Sequence, residues 1–258
     1  MTDLLDHLAA RRAAGRKLLV PYVMGGRPSL EEWAAAYESV AEHADTVEIG
    51  LPYSDPLMDG PVIAGAGERA IRSGVGPLDA LESAASLPAG VPRVAMTYFN
   101  PIHRVGEAEF CRRAAKSGIA GLIVPDLPLE ESSSLRAAAA DEGLAWIPLV
   151  APTSSPTRVA AISATATGFV YAVSTLGVTG ARESLSERAA AVVARCREAT
   201  DRPVLIGIGV TTAEQAVEAV ESADGVVIGT AIVRLIEERG SGAAGEFLAE
   251  VRTALGTL

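Results

Sequence analysis

The sequence predicts an α/β protein folded as a single (β/α)8 TIM barrel with an extra N-terminal helix. Three observations predict it: a length of 258 residues, eight short apolar runs, and stretches of helical spacing between them. The runs are Leu18–Met24, Thr46–Leu51, Arg93–Tyr98, Gly121–Pro125, Ala145–Val150, Gly168–Ser174, Val204–Ile208 and Gly225–Gly229. Each is rich in Val, Ile or Leu and nearly unbroken in its apolarity, as strands covered on both faces are. Eight strand–helix alternations in a chain of this length favour a closed parallel barrel over the alternative, a doubly wound open sheet.

The elements follow in order. Leu4–Ala14 is expected to be an additional helix closing the barrel floor. The helical stretches include Leu30–His43, Glu107–Ser117, Glu131–Glu142, Leu185–Ala199 and Ala213–Ser222. Two of them start with capping residues: Ser29 precedes Glu31 and Glu32, and Thr211–Thr212 precede Glu214. No linker, low-complexity tract or charge block divides the chain, so residues 1–258 are expected to form one domain.

Composition narrows the function classes. Hydrophobic residues make up 49% and charged residues 21%, which allows a large core and excludes disorder. A formal net charge of -10 argues against nucleic acid or an anionic membrane as partner, since both need a basic face. A phosphorylated substrate remains compatible, because backbone amides can hold a phosphate locally. Asp3, Asp6 and His7 within the first ten residues suit neither a signal peptide nor an anchor. No run approaches the ~18 apolar residues of a membrane span. A soluble cytoplasmic enzyme is the expectation, with Cys111 and Cys196 as inert thiols in a reducing compartment.

In such barrels the chemistry sits at the C-terminal ends of the strands. Val47 and Ile49 flank Glu48, so strand alternation puts the carboxylate on the face opposite both. If they pack against the helices, Glu48 points into the barrel mouth, where desolvation would suit it to proton transfer; a structural carboxylate bonded to a neighbouring strand is the alternative. Asp59 lies in a Pro- and Gly-bounded loop. A turn aspartate bonding its own backbone is the alternative for Asp59 and Asp55 alike, and spacing does not rank the two.

Three glycine-bearing loops point to a phosphate: Gly177–Gly180 after the sixth run, Gly207–Gly209 closing the seventh, and Gly229–Thr230 closing the eighth. Lysine occurs only as Lys17 and Lys116, neither placed for a Schiff base at a strand's end. His7, His43 and His103 lack metal-ligand spacing, and no nucleophile elbow appears. A carbon–carbon bond of a phosphosugar cleaved here would be cleaved by carboxylates alone, without an imine or a metal.

The run Val47-Glu48-Ile49-Gly50-Leu51-Pro52-Tyr53-Ser54-Asp55-Pro56-Leu57-Met58-Asp59-Gly60-Pro61 closely resembles the signature of the tryptophan synthase alpha subunit family, and the similarity covers essentially the whole chain. Pro125–Glu131, Leu149–Thr153, Gly168–Tyr171 and the three glycine loops extend it. The resemblance implies a single-domain barrel that releases indole and glyceraldehyde 3-phosphate from indole-3-glycerol phosphate without cofactor or metal. By resemblance, Glu48 is the general acid–base, Asp59 the carboxylate that bonds the indole N–H, and Tyr171 a tyrosine beside the reacting centre. Tyr22 lines the indole pocket, Gly180, Gly209, Gly229 and Thr230 hold the phosphate, and Thr179 bonds the catalytic aspartate on closure. A segment from Thr175 to about Ser186 is the expected lid.

The chain departs from the family pattern at Met24-Gly25-Gly26-Arg27-Pro28, where Thr often stands first and Asp before the Pro, and at Met58, where a smaller residue is frequent. The family usually works with a pyridoxal-phosphate beta subunit. The alternative implied by some relatives is a free-standing lyase that supplies free indole to secondary metabolism.

Overall fold

The computed structural model describes residues 4–173, 185–207 and 209–256. Its first half runs α1 (Leu4–Ala13), β1 (Leu18–Met24), α2 (Trp33–Ala41), β2 (Val47–Gly50), α3 (Pro61–Arg72), α4 (Pro77–Ser83), β3 (Arg93–Met96), α5 (Phe99–Val105), α6 (Glu107–Lys116) and β4 (Ile119–Ile123). The second half runs α7 (Ser133–Asp141), β5 (Ala145–Trp146), β6 (Leu149–Val150), α8 (Pro156–Ser163), β7 (Val170–Val173), α9 (Leu185–Arg197), β8 (Val204–Gly207), α10 (Ala213–Ser222), β9 (Gly225–Ile228), α11 (Thr230–Arg239) and α12 (Ser241–Leu255). All the strand pairings among the described residues are parallel, in the order β5-β4-β3-β2-β1-β9-β8-β7-β6.

The two ends of that order are halves of one apolar run, Ala145–Val150, and this closes the barrel. The sequence predicts one strand there; the structure splits it at Ile147-Pro148, where proline has no N–H to give a ladder. Ile147 N–H donates to the Leu122 carbonyl at 3.0 Å on the β4 side, and the Pro148 carbonyl accepts from Tyr171 N–H at 3.0 Å on the β7 side. The fourth run also shifts: β4 begins at Ile119 and ends before Val124 and Pro125. Helix α2 starts at Trp33 rather than Leu30, although Ser29 does bond Glu32, accepting its N–H at 3.2 Å and donating to its carboxylate at 2.9 Å. Thr212 caps α10 as expected, accepting from Gln215 N–H.

Alternation along the strands produces two buried layers. Leu18, Val20, Val94, Ile123, Ile147, Phe169, Leu205 and Val227 fill the barrel interior together with Leu4 and Leu8 of α1, so α1 closes the floor. Leu4 enters beside Gly168, where an added Cβ would lie 3.2 Å from it. Leu19, Val47, Ile49, Val204, Ile206 and Val226 face the helices instead. On the floor, fully buried Asp45 accepts from Leu19 N–H at 2.9 Å and pairs with Arg252 at 2.6 Å and Arg16 at 2.8 Å, tying α12 to β1.

The departing Arg27 is held by Glu237 of α11 through two bonds of 2.9 Å, and Arg69 of α3 shares that carboxylate. Cys111 and Cys196 are buried and unpaired, on the inward faces of their helices, and burial pushes the Cys111 thiol up to about 11. Among the described residues no helix is long and apolar enough to cross a membrane.

Candidate active site

Glu48 sits in β2 with its neighbours in the outer core, so its side chain turns into the barrel. It lies in register with Tyr22 of β1 and Val94 of β3 and is 3% exposed. Among the described residues its Oε2 is buried without a hydrogen-bond partner, whereas a carboxylate kept for structure would be bonded. Burial first, and then the charge of Asp59, raise its pKa to about 8.

Asp59 is delivered by the loop between β2 and α3. A turn bonds Asp59 N–H to the Pro56 carbonyl at 3.1 Å, Gly60 is the N-cap of α3, and Pro61 takes the first helical position. Burial raises the Asp59 pKa to about 6, opposed by a hydrogen bond from the Tyr98 phenol. The two aspartates differ in place: Asp55 is exposed and accepts from its neighbour Ser54 at 2.5 Å, while Asp59 is half-buried and faces a cavity.

That cavity, of 510 Å³, opens at the C-terminal ends of the strands. Glu48, Asp59, Tyr22 and Tyr171 face it, with Ile63, Met96, Ile123, Leu149 and Val227 as apolar wall and Gly209, Gly229 and Thr230 along its rim. A mostly apolar cleft with a few convergent polar groups is the usual form of a small-molecule site. Tyr22 reaches so far over Gly50 that an added Cβ there would fall 1.8 Å from its hydroxyl. Tyr171 crosses Gly207 in the same way, at 2.8 Å. Burial and the nearby carboxylates raise both phenols well above their usual pKa, so both remain protonated.

Gly229 is the N-cap of α11, which begins at Thr230, so the first N–H groups of that helix face the rim. Gly209 takes a φ of 71°, open to glycine at little cost. The structure therefore brings together Glu48, Asp59, Tyr171, Tyr22, Gly209, Gly229 and Thr230. Thr179 and Gly180, with residues 175–184 of the expected lid, lie outside the described residues. Among the described residues no group of three or more His, Cys, Asp or Glu side chains could hold a metal ion.

Sequence reasoning missed Tyr98, assigned only to the end of the third strand. Its hydroxyl accepts Met58 N–H at 2.9 Å, one residue before Asp59, and favours the ionised form of Asp59. An aromatic residue at the C-terminal end of a barrel strand was the available signal.

Residues 8–254 match the family described as tryptophan synthase alpha chain. The tryptophan synthase alpha chain of Streptomyces avermitilis is 45% identical over 258 residues, covering 99% of this chain and 92% of that relative. That of Carboxydothermus hydrogenoformans is also 45% identical, over 89% of this chain and 87% of its own length. Among solved structures, a Mycobacterium tuberculosis tryptophan synthase chain superposes with a TM-score of 0.90 at 40% identity, over 98% of this chain and 97% of that one. The tryptophan synthase subunit alpha of Legionella pneumophila gives a TM-score of 0.90 at 29% identity over the full length of both. With the family matched across nearly its whole length, the chain belongs to the tryptophan synthase alpha chain family.

Proposed function

We propose that this chain acts as a tryptophan synthase alpha chain, a lyase that cleaves indole-3-glycerol phosphate to indole and glyceraldehyde 3-phosphate. The observation that carries this reading is the pair of carboxyls facing one largely apolar cavity, with Glu48 titrating at about 8 and Asp59 at about 6. Two carboxyls whose environments separate their pKa values can serve as acid and as anion at the same pH.

The steps follow from that asymmetry. The ring lies against the apolar wall, and ionised Asp59 accepts the indole N–H. Protonated Glu48 gives its proton to indole C3, and Asp59 stabilises the positive charge that develops on the ring nitrogen. The resulting Glu48 carboxylate takes the proton of the glycerol hydroxyl adjacent to the ring as the carbon–carbon bond breaks. The bond's electrons return to the ring, releasing indole, and the hydroxyl-bearing carbon becomes the aldehyde. Tyr171, beside the reacting centre, donates from a phenol that stays protonated. The start of α11, with Gly229 and Thr230, holds the phosphate together with Gly209; Thr179 and Gly180 are the further residues that this reading assigns to the substrate. No metal or cofactor takes part in this chemistry.

The partner is a beta subunit carrying pyridoxal phosphate, to which indole passes. The relatives reported above are tryptophan synthase alpha chains, which supports the subunit reading over the free-standing lyase. The chain works as one catalytic domain, in the cytoplasm. Indole release from indole-3-glycerol phosphate, measured for the purified chain alone and with a beta subunit added, tests the reading. Low turnover that rises about 10-fold or more with the partner, a coupling of ~1.4 kcal/mol, is expected. No indole under either condition would refute the proposed activity, and turnover unaffected by the partner would refute the subunit assignment.

A further inference from the structure

Tyr98 stands outside the cavity wall yet touches the residue that completes it. It is the N-cap of α5, in extended conformation. The next residue is fixed as well, because the Asp126 carboxylate accepts Phe99 N–H at 2.9 Å. From that anchored position the phenol makes two contacts with the loop that carries Asp59. Its oxygen accepts Met58 N–H at 2.9 Å and its ring stacks on Tyr53 with centroids 5.2 Å apart; its hydroxyl also favours the ionised form of Asp59. Tyr53 is itself held from α5, accepting from Asn100 Nδ2 at 3.1 Å.

Resting on the lyase reading above, we infer that Tyr98 is a positioning residue for Asp59, a brace from the end of β3 that fixes the height and orientation of the carboxylate in a loop with little regular structure of its own. The loop has few other anchors. Leu57 is 87% exposed and Met58 46% exposed, so apolar packing does not hold the stretch before Asp59. Hydrogen bonding fixes position more sharply than packing of exposed side chains, and a small misplacement of a charge-stabilising group costs much of its effect. Tyr98 therefore governs how well Asp59 meets the ring nitrogen, without touching the substrate.

A second consequence concerns protonation. The charged and titratable groups around Asp59 are Glu48 on β2, Tyr22 on β1, Tyr171 on β7 and Tyr98 itself; Asp126 faces Tyr98 from the loop after β4. Of these, the Tyr98 hydrogen bond is the one that favours the ionised form of Asp59. Removing the hydroxyl moves Asp59 ionisation to higher pH.

The test is Tyr98→Phe, which keeps the ring and its stack, assayed for indole release over pH 5–9 beside the wild type. A kcat about 10-fold lower with little change in KM is expected, with the acid limb of the pH profile displaced upward by about one pH unit, the worth of one hydrogen bond. Site-specific 3-fluorotyrosine at position 98 is a stronger donor in the same place and displaces the acid limb downward, which a merely structural role would not do. Wild-type kcat and pH profile in both variants would overturn the inference while leaving the lyase reading intact. An inactive wild type would overturn both.

Discussion

Glu48 and Asp59 face the same cavity, and the charge of Asp59 raises the pKa of Glu48. Asp59 loses its proton at about 6, while Glu48 is still neutral and exerts no charge on it; Glu48 must then ionise at about 8 against a neighbouring anion. Between those values the site holds one carboxylate and one carboxylic acid, the state that protonation at C3 requires.

The dependence of kcat/KM on pH should accordingly be a bell with limbs near 6 and 8. Below the first limb protonated Asp59 no longer attracts the charge developing on the ring. Above the second, Glu48 has no proton to give. A stopped assay of indole across pH 5–9 checks this, and a profile flat from 5 to 9 would contradict the assignment of the pair.

Stability carries the same signature with a defined sign. Glu48 is protonated more readily in the folded chain than in the unfolded one, so its favourable contribution is complete below the unfolded value of about 4.5 and disappears as pH rises through about 8. Glu48→Gln, which keeps the shape and cannot ionise, should be more stable than the wild type at pH 9, by an amount on the order of a few kcal/mol, and the difference should shrink toward pH 5. Urea denaturation at the two pH values measures it; a difference independent of pH would show that Glu48 is not a buried acid.

Much of this arrangement was legible in the residues. The apolar runs located the barrel strands because both faces of each strand are covered, and the flanking Val47 and Ile49 gave the direction of Glu48 correctly. Where local chemistry competes with pattern, the reading was coarser. Pro148 splits an otherwise continuous run, and no periodicity reveals that the two halves pair with different neighbours. Asp55 and Asp59 lie in one loop, and which of them faces the cavity depends on where that loop falls on the barrel mouth. The resemblance assigned the role to Asp59, which lines the cavity where Asp55 does not. Tyr98 was invisible as a brace because its partners, Met58 and Asp59, are about 40 residues away and lie in a loop without periodicity.

The floor of the barrel offers a prediction independent of catalysis. Asp45→Ala would leave Arg252, 17% exposed, without its carboxylate and Leu19 N–H without its acceptor. Breaking one side of a buried pair costs about 3–5 kcal/mol, and a loss of that size in the unfolding free energy from urea denaturation is expected. A change of a few tenths would mean that the pair contributes little.

Gly50 gives a test of the site's packing. A methyl group there collides with Tyr22, so Gly50→Ala should destabilise by about 1–3 kcal/mol and raise KM by displacing the ring from the cavity. Adding Tyr22→Leu should restore stability without restoring KM. Additive effects in the double variant would contradict the direct clash.

Indole release from indole-3-glycerol phosphate by Glu48→Gln and Asp59→Asn, each beside the wild type and with the beta subunit present, tests the central claim most directly. Each variant is predicted to remain folded and to lose about 10²–10⁴-fold in kcat, since one lacks the acid and the other the anion. Wild-type turnover in either variant would show that the chemistry does not run through this pair.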